Sequence, residues 1–316
     1  INYYLNNNLL LNYSFMPNDD DDIMIDRYTI DYEDCVKKHG YLHVKSTGKC
    51  ARLACAILKS LPKCCTSQTI SRRVNILWKH CQYEPFAEQR KLLGKSPLTD
   101  NTSNNNHEIV DHLHTAIGYQ VSLLHILGGV HDQLLVKLSL PICSTNITCD
   151  DSLMSTCVLN SVHLGDLFRY LSGFLDDDLG KTKFQRLAFT CYEMVTHQWD
   201  PEHGLAWNQM AVIHGRTPFV VDSITTTTII FYYLKAMTCE QSFPAARNNL
   251  LAFLKRMPCD DCECADNDKK FIQKVKEHFL FGMKCDFTPE SIDSNEKRFI
   301  AAYMDTHNRL DPGPCI

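Results

Sequence analysis

Two short stretches hold the residue types best suited to binding chemistry. One is His163-Leu164-Gly165-Asp166-Leu167-Phe168-Arg169-Tyr170. The other is Trp207-Asn208-Gln209-Met210-Ala211, preceded by Trp199-Asp200-Pro201 and Gly204. Together they set one Arg and one Asn among apolar residues on helical faces, which suits a groove for phosphate and peptide better than an enzyme pocket. A guanidinium fork matches two phosphate oxygens at once, and a carboxamide both donates and accepts a hydrogen bond. Each residue also has a plainer reading. Arg169 lies three positions after Asp166, the spacing of a helical ion pair. Asn208 follows Gly204 closely enough to be a helix N-cap.

Other candidate chemistry is weaker. Cys259-Asp260-Asp261-Cys262-Glu263-Cys264 contains one CxxC, but no second pair follows at finger spacing. The nearest further ligands are His278 and Cys285. An acidic surface loop with free thiols competes there with a zinc site. His107, His112 and His114 do not share one helical face, so a solvated or capping role is expected of them rather than metal binding. Asp176-Asp177-Asp178 reads as a turn, because it lacks the alternating ligands and later Glu of a calcium loop. We find no nucleophile elbow, no phosphate-cradling glycine loop and no paired metal motif. A non-enzymatic protein without a cofactor is therefore the expectation.

These residues sit in a chain of 316 residues with 44% hydrophobic and 22% charged residues, ordinary proportions for a globular protein. Its net charge of −5 argues against a broad nucleic-acid surface, which normally shows a basic excess. No apolar run approaches the roughly 20 residues of a membrane helix. The 16 Cys fall largely on apolar helical faces, among them Cys55, Cys157 and Cys191. They read as small buried hydrophobes in a reducing compartment rather than as a disulfide scaffold. A chain beginning at Ile1, with no basic segment or cleavage site in its first residues, reads as a piece of a protein without a signal peptide.

The elements that must position the candidates all read as helices. Residues 1–24 look like a tail, with the acidic run Asp19 to Asp22 expected to stay solvated. Helical text follows over Tyr32–Leu42, Cys50–Leu61 and Ser67–Leu93, the last expected to kink or split at Pro85. Residues 94–106 read as a polar loop, and His107–Leu138 as a long helix with a possible break at Gly128-Gly129. After a second loop over 141–150 come Ser152–Phe174, Thr182–Gln198, Leu205–Gly215, Phe219–Cys239 and Phe243–Arg256. The run Thr225 to Ile230 alone would suggest a strand, but an isolated strand has nothing to pair with. The expected fold is all-α, with a helical domain over 25–258 and a C-terminal helical extension over 259–316. Leu164-Gly165, Tyr170, Ala188, Tyr192 and Pro201 follow the order of a tetratricopeptide repeat. Trp207, Ala211, Tyr232 or Tyr233, Ala236 and Pro244 repeat it at stretched spacing.

The joint order of these motifs carries a family resemblance. Leu164 to Tyr170, Pro201 to Gln209, Tyr232-Tyr233 and Ser242 to Leu250, with the upstream Leu77-Trp78-Lys79-His80 and Ala116 to Tyr119, resemble the 14-3-3-like tetratricopeptide domain of the SMG factors of nonsense-mediated mRNA decay. These factors are relatives of the ever-shorter-telomere proteins, and the resemblance spans about residues 70–255. It implies a 14-3-3-like antiparallel helix stack and a phosphoserine-binding groove with Arg169, Tyr170 and Asn208 in it. Seven-type members carry a second basic residue where Tyr83 stands here. Five-type members are aromatic at that point, so the five-type branch fits better, with Lys79 one turn before Tyr83 as a partial substitute for the missing charge. The resemblance further implies a cytoplasmic adaptor that shuttles to the nucleus. It would form a heterodimer with a seven-type partner, dock on the phosphorylated up-frameshift RNA helicase, and need no membrane and no direct nucleic acid. A rival reading is a dimerisation scaffold whose groove binds no phosphate.

Overall fold

The computed structural model describes residues 20–41, 43–64, 66–93, 102–128, 132–140, 151–215 and 223–256. Among the described residues the chain is all-α, as the periodicity requires, and holds no strand. Packing separates it into two units that meet in sequence between Met194 and Val195. The first contains α1 (Asp20–His39), α2 (Val44–Ser60), α3 (Ser67–Ile76), α4 (Glu84–Leu93), α5 (Thr102–Leu127), α6 (Asp132–Lys137), α7 (Asp151–Ser172) and α8 (Asp178–Met194). The second contains α9 (Gly204–His214), α10 (Ser223–Thr238) and α11 (Ala246–Arg256). Neighbours in sequence pack as pairs: α1 with α2, α7 with α8, α9 with α10, and α10 with α11. The Cys259–Cys264 motif, the proposed extension over 259–316 and the loop over 141–150 lie outside the described residues.

Several boundaries depart from the sequence reading, each for a local reason. The helix expected from Tyr32 starts at Asp20, so the acidic run is partly its first turn. Carboxylates there are favoured by the helix dipole. Asp22 also takes two hydrogen bonds from the buried Arg73 on α3, at 3.1 and 2.8 Å. The expected loop over 94–106 is helical from Thr102 onward. The long helix after it ends at Leu127, where Gly128 adopts φ +53° and its N–H bonds Leu124 O at 3.0 Å. That left-handed residue is the usual helix stop, and glycine adopts it without a Cβ clash. Ser223–Thr238 is helical despite four consecutive threonines, so its buried Ile229, Ile230, Tyr233 and Leu234 outweigh local β preference.

Pro85 has a larger effect than a kink. Ahead of it, Leu77–Tyr83 forms a π-helical turn. Pro85 has no N–H to give the Cys81 carbonyl, and the Cys50 thiol donates to that oxygen instead at 3.8 Å. The Cys81 thiol returns the contact to Cys50 O at 3.7 Å. Gln82 O receives His112 Nε2 at 3.0 Å, so the expected solvated or capping role of this histidine becomes a cross-helix bond. The π turn thereby ties α2 and α5 together beside an apolar core that includes Ile25, Leu53, Ile57, Leu61, Val74, Leu77 and Leu123.

Candidate functional site

Arg169 lies near the end of α7 and is only 7% exposed. Its Nη2 donates to Asp166 Oδ1 at 2.9 Å, so the ion pair read from the three-residue spacing forms, but in the interior rather than on the surface. Tyr192 on α8 donates its hydroxyl to the same Asp166 oxygen at 2.7 Å. Gly165 is what lets α8 approach. A Cβ there would stand 2.5 Å from Tyr192 Cε1, below any tolerable contact. Burial works against the Arg169 charge, but Tyr192 and Asp166 outweigh it, and the guanidinium is held more firmly cationic than usual. Its Nε has no hydrogen-bond partner.

The Arg169 guanidinium also lies over the ring of Tyr170, 4.5 Å from its centroid. Tyr170 stacks in turn on Phe86 at 4.5 Å. Its phenol is pushed up to about 12, by burial first and then by Asp166, with a smaller contribution from Tyr83 and an opposing one from Arg169. Tyr83 is 44% exposed and stacks on Trp78, which lies face to face with His163 at 3.8 Å and 3°. The structure therefore brings Arg169, Tyr170 and Tyr83 into one electrostatic neighbourhood. Lys79, 60% exposed, lies instead 4.0 Å from Glu84.

Asn208 belongs to the second unit, where it is buried on α9. Its Oδ1 accepts from Asn249 Nδ2 on α11 at 2.9 Å. It does not cap α9. His203 does, through Nδ1 and Ala206 N–H at 3.4 Å, because the helix starts one residue after His203 and leaves Asn208 in its second turn. Around this start the chain closes on itself. Gly204 N–H bonds Gln241 O at 3.0 Å, Gln241 N–H bonds Glu202 O at 3.1 Å, and Trp207 Nε1–H bonds Pro201 O at 2.8 Å. The Pro-x-x-Gly-x-x-Trp order thus has a physical cause: Pro201, Gly204 and Trp207 each take part in the turn into α9, and Asn208 after them ties α9 to α11.

Three partners in these sites were missed from sequence. Tyr192 was read only as a repeat aromatic, although the helical register that places it opposite Gly165 was a usable signal. Asn249 stands in the Ser242–Leu250 motif with no role assigned to it there, and His203 carries no signal at all. Asp177, read as part of a turn, accepts from Gly180 N–H and so caps α8.

No curated protein matches this chain. Residues 188–310, less than half of its length, match the family model of the Est1 DNA/RNA binding domain. That stretch holds the Trp207–Gln209, Tyr232-Tyr233 and Ser242–Leu250 motifs, and it supports the Est1/SMG resemblance at the level of the family rather than of one member.

Proposed function

We propose that this chain is a non-enzymatic adaptor of nonsense-mediated mRNA decay. It reads phosphoserine on an up-frameshift-type RNA helicase and pairs with a seven-type SMG partner in the cytoplasm, with shuttling to the nucleus. The observation that carries the phosphate reading is the state of Arg169. Asp166 and the Tyr170 ring hold the guanidinium in one orientation, and Nε is left without a partner. A preorganised fork loses little freedom on binding a phosphate. Tyr170 and Tyr83 supply neighbouring hydroxyls.

The test is a titration of a phosphoserine peptide and its unphosphorylated twin against the chain and against Arg169→Lys. This variant keeps the charge beside Asp166 but removes the fork. The expected result is preference for the phosphopeptide in the native chain and loss of that preference in the variant. Equal affinity of the native chain for both peptides overturns the phosphate reading. It leaves the dimerisation scaffold, which the burial of Arg169 and its neutralisation by Asp166 favour.

A second reading rests on the family match, whose description names DNA and RNA. It predicts salt-dependent binding of single-stranded RNA. Against it, acidic residues outnumber basic ones within 188–310. Fluorescence anisotropy of a labelled single strand at low and physiological salt separates the two readings.

A further inference from the structure

A cavity of about 340 Å³ opens in the first unit among α1, α2, the π turn, α4 and α5. That is at the small end of ligand pockets, which run from about 300 to 1,000 Å³. It is independent of the phosphate reading, because neither Arg169, Tyr170, Lys79 nor Tyr83 lines it. Three tyrosines line it: Tyr32, Tyr41 and Tyr119. Two exposed carboxylates, Glu108 and Asp111, stand at its rim, and no Lys or Arg is among its lining residues. Glu84, hydrogen-bonded to Tyr41, adds negative charge nearby, as do Glu33 and Glu88.

The thiols and the histidine of the wall have no hydrogen left to offer a ligand. The thiol hydrogens of Cys50 and Cys81 are committed to each other's carbonyls. His112 is held toward its neutral form by burial and gives Nε2–H to Gln82 O. Two deeply buried lining residues carry polar atoms without partners: Tyr32, 1% exposed, at its hydroxyl, which accepts as well as donates, and Gln89, 7% exposed, at Oε1, which only accepts. Buried oxygens of this kind are normally satisfied by a protein group, a water or a ligand.

We infer that this cavity receives a donor-bearing organic cation, a guanidinium or primary ammonium. Aromatic faces attract the cation, the rim carboxylates add Coulomb attraction, and the N–H groups meet Gln89 Oε1 and the Tyr32 oxygen. An anion meets no lining cation there. A quaternary ammonium satisfies the rings but not the oxygens.

The test follows amide chemical shifts of the 316-residue chain during titration with agmatine, with a blocked Ala-Ala-Arg-Ala-Ala peptide, with tetramethylammonium and with acetate. Saturable shifts are expected at residues of α2, α4 and α5 for agmatine and the peptide. Tetramethylammonium should bind about tenfold more weakly, and acetate should give none. The double variant Glu108→Gln/Asp111→Asn, at exposed positions that leave the fold intact, should weaken agmatine binding by about tenfold. Gln89→Leu should weaken agmatine but not tetramethylammonium. Binding of agmatine without the peptide supports the cation chemistry and assigns the site to a free small molecule. Absence of saturable shifts with both, equal shifts with acetate, or unchanged affinity in the double variant overturns the proposal.

Discussion

Tyr192 donates its hydroxyl to Asp166 at 2.7 Å across the seam between α7 and α8. The same carboxylate oxygen receives Arg169, so one buried acid organises a phenol and a guanidinium. Burial and Asp166 both push the Tyr192 phenol well above its usual range, which keeps it a donor at any physiological pH. The trio is a structural device, whatever else Arg169 binds.

Removing its parts should therefore cost unequal amounts. Tyr192→Phe deletes one donor and leaves Asp166 still paired with Arg169, an expected loss of about 1–3 kcal/mol. Asp166→Leu leaves the guanidinium buried without its counter-charge, which typically costs about 3–5 kcal/mol. Urea unfolding of both variants checks the order. Equal losses would show that the carboxylate's charge is not what matters.

Gly165→Ala tests the seam by volume rather than charge. The added carbon would meet Tyr192 Cε1 at 2.5 Å, and the ring is fixed by its bond to Asp166. Overpacking of this sort costs about 1–3 kcal/mol. Combined with Tyr192→Leu, the same glycine change should cost much less, because the colliding ring is gone. Additive losses in the double variant would place the strain elsewhere.

What was legible in the sequence follows the range over which each interaction acts. Helix identity came from apolar periodicity, which is local, and so did the Asp166–Arg169 pair at three residues. The Thr225–Ile230 run was legible only through its helical neighbours. The plainer reading of Asn208, as a cap, fails because its partner Asn249 is far along the chain and His203 is an unusual capping residue. Pro85 announced an irregularity but not its form, since the π turn depends on Cys50 and His112 arriving from two other helices. The cavity was invisible, being built from five separate segments.

His203 gives the fold a pH dependence with a definite sign. Its Nδ1 accepts from Ala206 N–H, which requires an unprotonated nitrogen. Burial lowers its pKa below the ordinary 6.5, against a smaller opposing pull from Asp200. The unfolded chain therefore binds the proton more readily than the folded one. The stabilising contribution is present above pH 6.5 and is lost as pH falls below that value toward the folded pKa. His114, His125, His112 and His214 are lowered in the same direction by burial. The chain should be measurably less stable to urea at mildly acidic pH than at neutral pH. His203→Asn keeps a capping acceptor that does not titrate, so its stability should fall less over that interval. An unchanged pH slope in the variant would remove His203 from the account.

Gly204 should be the least replaceable residue of the second unit. A Cβ there would meet Gln241 O at 2.6 Å, Ala236 O at 2.7 Å and Phe243 N at 2.8 Å. All three are backbone atoms, so no rotamer change can relieve the contact. Two of them are also hydrogen-bonded to each other, Phe243 N–H to Ala236 O at 2.8 Å, and the third accepts from Gly204 itself at 3.0 Å. Moving any one breaks a bond that fixes the turn into α9. Gly204→Ala should then cost at least the upper end of the overpacking range, about 3 kcal/mol, and more than Gly165→Ala, whose obstacle is a side chain. Trp207 reports the change directly. Its indole N–H is held by Pro201 O in the same turn, so its fluorescence should shift toward that of a solvated indole before global unfolding. Faster amide exchange at Gly204 and Phe243 should accompany it. A loss below about 0.5 kcal/mol, the scatter of ordinary surface substitutions, with native-like indole emission, would show that the α9 entry can relax and that the close approach is not what selects glycine.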